Sequence, residues 1–357
     1  MNGSEINFNT IENIDILLER YKNGIIYKGI VEYRKDKNYF ADSPINALRS
    51  DMMMESESRY KESPDGNIYY LEAPTGSGKT ETSINLMLNM IKEDTDINNV
   101  FYIFPFNTLV EQTAGTLSKY FKKDIDFAVV NSITPIIIQK DMDSDESNYE
   151  HSYLERILNN YPIVVTSHVN FFNALFGCGR EQLFPLVKLC NSVVIMDEIQ
   201  SYRSSIWRHI IIFLNTYAKL LNIKMIIMSA TLPRLDKMLD DDRGHFIELI
   251  KRPERYFKNP IFKNRVDIDL ALLEYRKIDL DVLADKVIRF EDNKVLVEFI
   301  TKVSARKFYN IMINKRPDLD IIELTGDDNA KYRKDVIADI TNSDKLIVIA
   351  TQVIEAG

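Results

Sequence analysis

Eight consecutive residues, Ala73-Pro74-Thr75-Gly76-Ser77-Gly78-Lys79-Thr80, constrain this chain more than any others. They follow the apolar run 68–71, which reads as a buried strand, and precede 81–91, which carries helical spacing. Strand, glycine-rich turn, Gly-Lys-Thr and helix is the layout of a phosphate-binding loop. Glycines let successive backbone N–H groups converge on one anion, and the helix N-terminus adds partial positive charge there. In that layout Pro74, Thr75, Gly76, Ser77, Gly78, Lys79, Thr80 and Glu81 surround a nucleotide. Lys79 reaches the β- and γ-phosphates, and the Thr80 hydroxyl holds Mg²⁺. Ala73 stands where the usual pattern has its first glycine.

From this loop onward, short β-rich runs alternate with helical stretches. The spacing predicts strands at 68–71, 100–104, 127–131, 163–166, 193–196 and 224–228, and helices at 80–92, 107–121, 168–176 and 204–222. Wholly apolar strands separated by helices imply an α/β fold, a parallel sheet with helices on both faces. A second such series has strands near 295–299, 320–323 and 346–349, with helices near 281–291, 303–315 and 330–341. Ahead of the loop, 11–21 and 44–54 have helical spacing, and Asn46 or Arg49 on the latter is placed to face a base. The expected division is a helical extension over 1–62, a nucleotide-binding domain over 63–252, and a linker with a partial second domain over 253–357. The sequence ends just after a strand with no closing helix, which reads as a truncated second domain.

At 357 residues the chain is long for one domain, and 45% apolar content suffices for packed α/β cores. The net charge of −8 argues against coating nucleic acid through bulk charge, but not against local contacts in a groove. Cys178 and Cys190 show no metal or redox spacing and read as buried small residues in a reducing compartment. Residues 1–10 are polar and lack the plan of a signal peptide, and no apolar run approaches a membrane span. A cytoplasmic protein with no membrane partner is expected.

About 120 residues beyond Lys79, Val193-Val194-Ile195-Met196-Asp197-Glu198-Ile199-Gln200 is an apolar strand ending in adjacent carboxylates. Ligands of open α/β sheets lie beyond the strand C-termini. There Asp197 holds Mg²⁺, Glu198 orients and activates the attacking water as general base, and Gln200 senses the γ-phosphate. The next strand, from Met225, ends in Ser229-Ala230-Thr231, whose small hydroxyls suit hydrogen bonds to the Asp-Glu strand and coupling to a facing domain.

These three stretches together resemble the superfamily 2 helicases. The resemblance implies two RecA-like domains that close on ATP with Mg²⁺ and step along a nucleic-acid strand. Further stretches fit in order. Pro105, Asn107 and Thr108 sit in a stretch similar to the motif that contacts the phosphate backbone, Thr166 and Ser167 in the second such motif, and Thr351 and Gln352 in the fifth. Contacts through neutral N–H and hydroxyl groups allow an acidic protein to grip phosphates.

Within the superfamily the chain most resembles the CRISPR-associated helicase of type I systems. Asp197-Glu198-Ile199-Gln200-Ser201-Tyr202, Pro44-Ile45-Asn46-Ala47-Leu48-Arg49 and the ending Ala350-Thr351-Gln352-Val353-Ile354-Glu355-Ala356-Gly357 carry the likeness. It implies a 3′-to-5′ ATP-dependent translocase on single-stranded DNA, recruited by the RNA-guided surveillance complex. It also implies an HD nuclease as partner. His151, His168, His209 and His245 include no His-Asp pair, so they read as structural or surface residues, and the nuclease is expected on a separate chain or a missing segment. The arginine fingers of the sixth motif would lie beyond Gly357. Two other readings stand beside this one: a generic superfamily 2 helicase of repair or processing, and a truncated, non-catalytic binding fragment.

Overall fold

Alternation along fully apolar strands decides the architecture, because successive side chains leave opposite faces of a sheet. In the computed structural model, which describes residues 9–105, 107–121, 127–130, 158–177, 179–202, 204–231, 235–239, 246–275 and 278–351, two units are distinguished, Met1–Arg265 and Val266–Gly357. The first unit begins with helices α1 (Ile14–Asn23), α2 (Ile25–Lys35) and α3 (Pro44–Glu62). Strand β1 (Ile68–Glu72), α4 (Lys79–Glu93), β2 (Asn99–Phe104), α5 (Asn107–Phe121), β3 (Phe127–Val130) and β4 (Ile163–Ser167) follow. Then come α6 (His168–Phe176), α7 (Arg180–Leu189), β5 (Ser192–Asp197), α8 (Ser204–Leu220), β6 (Ile223–Ser229), β7 (Ile247–Glu248), α9 (Glu254–Phe257) and α10 (Pro260–Lys263).

The seven strands pair in parallel in the order β3-β4-β2-β5-β6-β1-β7. Tyr69 and Leu71 of β1, Tyr102 of β2, Ile195 of β5 and Ile226 of β6 enter one core, shared with Leu18 and Tyr21 of α1, Met52 and Tyr60 of α3, and Leu86 of α4. Their strand neighbours Tyr70, Ile103, Met196 and Ile227 enter the other core, against Phe171 of α6 and Ile211 and Leu214 of α8. This RecA-like sheet, helices on both faces, is the α/β fold that the alternation implies.

Helix α3 runs well beyond the expected 44–54, and α2, α7 and β7 had no sequence signal. Pro185 inside α7 reads locally as a breaker. In α2 the β-branched and aromatic run after Gly24 obscures the helical period. The units divide after Arg265, not after 252, and residues 9–62 share the first unit's core. The reason is a polar tie. Glu55 of α3 accepts from the Lys251 amide at 3.1 Å, from the Tyr256 hydroxyl at 3.2 Å and from the Arg255 guanidinium. Tyr256 is buried in the same core as Tyr60.

The second unit holds α11 (Leu280–Ile288), β8 (Lys294–Glu298), α12 (Lys302–Lys315), β9 (Ile321–Leu324), α13 (Ala330–Asn342) and β10 (Leu346–Ala350). Its parallel strands lie in the order β8-β10-β9. Ile347 and Ile349 pack with Phe308 and Met312 of α12, while Leu346 and Val348 pack with Val336 of α13. Among the described residues no helix is long and apolar enough to cross a membrane.

Candidate nucleotide site

Strands β1, β6 and β5 are consecutive in the sheet, so their C-terminal ends form one rim. The glycine-rich loop leaves β1, Ser229 ends β6 and Asp197 ends β5. The Ala73 amide donates to the Ser229 carbonyl at 3.2 Å and the Glu198 amide to the Met228 carbonyl at 3.1 Å, which locks the three tips together.

The loop turns through left-handed backbone at Gly76 (φ 76°) and Gly78 (φ 91°), where a side chain would be strained. Ala73 is fully buried and needs no such freedom, which accounts for alanine at that place. Lys79 lies over the loop and donates to the carbonyls of Ala73 at 3.0 Å and Pro74 at 3.4 Å. Burial pushes its pKa down, opposed by the carboxylates of Asp197 and Glu198, so the three charges act on one another across the rim. Arg49 of α3 donates to the Gly76 carbonyl from Nε at 3.0 Å and Nη2 at 2.8 Å, and to Asn46 Oδ1 at 3.3 Å. Arg265 donates to the Thr75 carbonyl at 3.0 Å, so arginines from two remote segments grip the loop's outer carbonyls. The Glu81 carboxylate, expected at the nucleotide, accepts from the Tyr120 hydroxyl of α5 at 3.0 Å.

At the tip of β5, Glu198 adopts left-handed backbone (φ 53°), a conformation costing a non-glycine residue about 1–2 kcal/mol. Its amide donates to Asp197 Oδ1 at 3.0 Å, which offsets part of that strain. Ser229 Oγ donates to Glu198 Oε2 at 3.3 Å, Gln200 Nε2 donates to the same oxygen, and the Thr231 amide donates to Ser229 Oγ at 3.0 Å. The Ser-Ala-Thr stretch thus reaches the acidic pair directly, with Ala230 between the two bonded residues. Burial raises the Asp197 pKa to about 7, the Glu198 charge adds to this, and Lys79 and the Glu198 amide oppose it. The adjacent Asp197 and Glu198 carboxylates offer hard oxygen donors of the kind that suit Mg²⁺.

The expected strand-contacting residues fare differently. Thr166 is buried and its hydroxyl donates to the Val130 carbonyl at 2.6 Å while accepting from Asn170 at 3.2 Å, so it is engaged inside the fold. Ser167 caps α6, accepting from the Asn170 amide. Thr351 is buried, and its amide donates to the Leu324 carbonyl. Pro105 is half-buried at the end of β2; the side chains of Asn107 and Thr108, and Gln352 altogether, lie outside the described residues. Sequence reasoning missed Arg265, whose loop partner is 190 positions away. It read His168 as structural or surface; the residue is buried and its Nε2 lies 2.9 Å from the Asp197 carbonyl, a partner the sequence did not indicate.

Comparison with solved structures shows the same architecture at low sequence identity. A crystal structure of the DUF1998 helicase MrfA bound to DNA and AMPPNP matches with TM-score 0.55 and 14% identity, over 99% of this chain and 46% of that one. The T. fusca Cas3-AMPPNP structure matches with TM-score 0.60 and 18% identity, over 85% and 40%. The Mycobacterium smegmatis helicase Lhr bound to ssDNA and AMP-PNP matches with TM-score 0.51 and 15% identity, over 86% and 41%. The chain therefore spans less than half the length of these structures. A search of curated proteins gave no match. The profile of the DEAD/DEAH box helicase family matches residues 47–238, more than half of the 357, and takes in the loop, the acidic tip and Ser229-Ala230-Thr231. By that match, and by the rim that joins those three stretches, the chain belongs to the DEAD/DEAH box helicase family.

Proposed function

We propose that this chain is the motor part of an ATP-driven, 3′-to-5′ single-stranded DNA translocase of type I CRISPR interference. The observation that carries the reading is the rim where Lys79, Asp197, Glu198 and Ser229 meet. The neighbours bound to DNA and to ATP analogues support the substrate class, and the Cas3 likeness supports the pathway. Recruitment by an RNA-guided surveillance complex and cleavage by an HD nuclease complete the proposal.

In this reading the loop amides and the N-terminus of α4 bind the phosphates, and Lys79 exchanges its carbonyl partners for the γ-phosphate. Gln200 and Ser229 both donate to Glu198 Oε2, so Oε1 is the oxygen left to accept from the attacking water and take its proton. The Asp197 carboxylate and Thr80 hydroxyl would hold Mg²⁺, which when bound offsets charge on the phosphate oxygens.

Steady-state ATP hydrolysis by the complete protein, with and without single-stranded DNA, tests the motor. Duplexes with 3′ or 5′ single-stranded tails test polarity, and pull-down of DNA-bound surveillance complex tests the pathway. No DNA stimulation overturns the translocase. Stimulation without recruitment favours a superfamily 2 helicase outside CRISPR defence, a second reading that the 99% coverage by MrfA supports.

A further inference from the structure

We propose that His168 is a positioning residue that fixes the Asp197–Glu198 peptide and ties it to the candidate strand-contacting segment at Ser167. The inference rests on the reading of Glu198 as the water-orienting carboxylate.

His168 begins α6, directly after Ser167, yet its ring is 2% exposed and reaches the end of another strand. Its Nε2 lies 2.9 Å from the Asp197 carbonyl oxygen. A carbonyl only accepts, so Nε2 carries the proton. The other nitrogen, Nδ1, is buried with no hydrogen-bond partner among the described residues. The ring is therefore neutral and bears its proton on the nitrogen that the carbonyl uses. Burial also pushes its pKa down to about 4, which keeps it neutral.

The ring has little freedom to leave this bond. It stacks on Tyr202, with centroids 5.1 Å apart and planes 17° from parallel, and meets Phe172 edge-on at 6.4 Å. Tyr202 is itself held, its carbonyl accepting from Trp207 Nε1 at 2.8 Å. Tyr202 closes the short 199–201 turn and His168 grips the residue before Glu198, so the two stacked rings bracket the acidic turn.

The bonded carbonyl belongs to the peptide that leads into the left-handed backbone of Glu198. Rotation of that peptide would swing the carboxylate away from Ser229 and Gln200. The peptide is thus held at both ends, its N–H by the Met228 carbonyl at 3.1 Å and its carbonyl by His168, and the histidine stands one residue from the segment read as a strand contact.

Two substitutions in the complete protein separate the N–H from the ring. His168→Phe keeps an aromatic body between Tyr202 and Phe172 but removes the donor; His168→Gln restores a neutral N–H. We expect His168→Phe to lower kcat for DNA-stimulated ATP hydrolysis about tenfold while KM for ATP stays within about twofold, and His168→Gln to recover much of the loss. A His168→Phe kcat within twofold of the parent, or a Gln variant no better than Phe, overturns the proposal. The second readout is independent of turnover. In ¹⁵N-histidine spectra His168 should show the Nε2–H tautomer. An Nδ1–H tautomer overturns it. If the parent protein hydrolyses no ATP, the motor reading falls, while the spectra still decide whether the bond to Asp197 exists.

Discussion

The two parallel sheets use apolar strands differently. In the first unit β2 and β6 are buried along their whole lengths and feed separate cores above and below. In the second, β10 is buried likewise, but β8 alternates exposed and half-buried positions, with Leu296 50% exposed. A strand clamped from both faces holds its tip where side chains need to be accurate to fractions of an ångström. The first unit has three such tips side by side, and the proposed nucleotide site lies on them. The lesson is that burial of the strands on both faces, more than any one acidic residue, distinguishes the unit that carries the proposed site.

The sharpest way to break this contrast is at the rim itself. Lys79→Ala in the complete protein should lower ATP hydrolysis at least about a hundredfold, and Glu198→Gln should do the same while nucleotide titration still shows binding. Retained turnover in either would move the chemistry elsewhere. Next in size is the core beneath. Ile227→Ala, at a fully buried position of β6, should lose about 2–5 kcal/mol in denaturant unfolding followed by a first-unit probe. A loss below about 1 kcal/mol would deny that β6 is clamped.

A similar loss should follow acidification. His168 is held neutral with its pKa lowered from 6.5 to about 4. Above the unfolded value neither state binds the proton and nothing changes. Below it the unfolded chain is protonated first, so stability falls as pH drops from about 6.5 to about 4, by about 3 kcal/mol in full. Melting curves of His168→Phe should lack this component; equal slopes for both proteins would count against the buried neutral ring. Smallest of all, Leu296→Ala on β8 should cost under about 1 kcal/mol, since half of that side chain already meets water. A loss as large as that of Ile227→Ala would erase the difference between the sheets.

Much of this arrangement was legible in the sequence, for local reasons. Helices 107–121 and 168–176 carry their period in contiguous residues, and the turns at Gly76 and Gly78 demand glycine wherever they occur. The acidic pair was legible because a wholly apolar strand ended in it. What escaped depends on partners distant in sequence. Nothing near Arg265 announces Thr75, and nothing near His168 announces Asp197. The burial of Thr166 and Thr351 was not legible either, because burial at a strand end is set by neighbouring strands and loops, which the local sequence does not encode. The Tyr120 partner of Glu81, 39 positions on, was hidden for the same reason.

The tie around Glu55 has a practical corollary for anyone expressing this unit alone. A piece trimmed to 63–252 would remove Tyr60 from its edge-on contact with Tyr69 and separate Glu55 from both Arg255 and Tyr256. The stripped apolar face of α4 would then meet water, and such a piece should collect in the insoluble fraction. A piece running from residue 9 to Arg265 keeps both sides of each contact and should purify as a monodisperse, nucleotide-responsive domain.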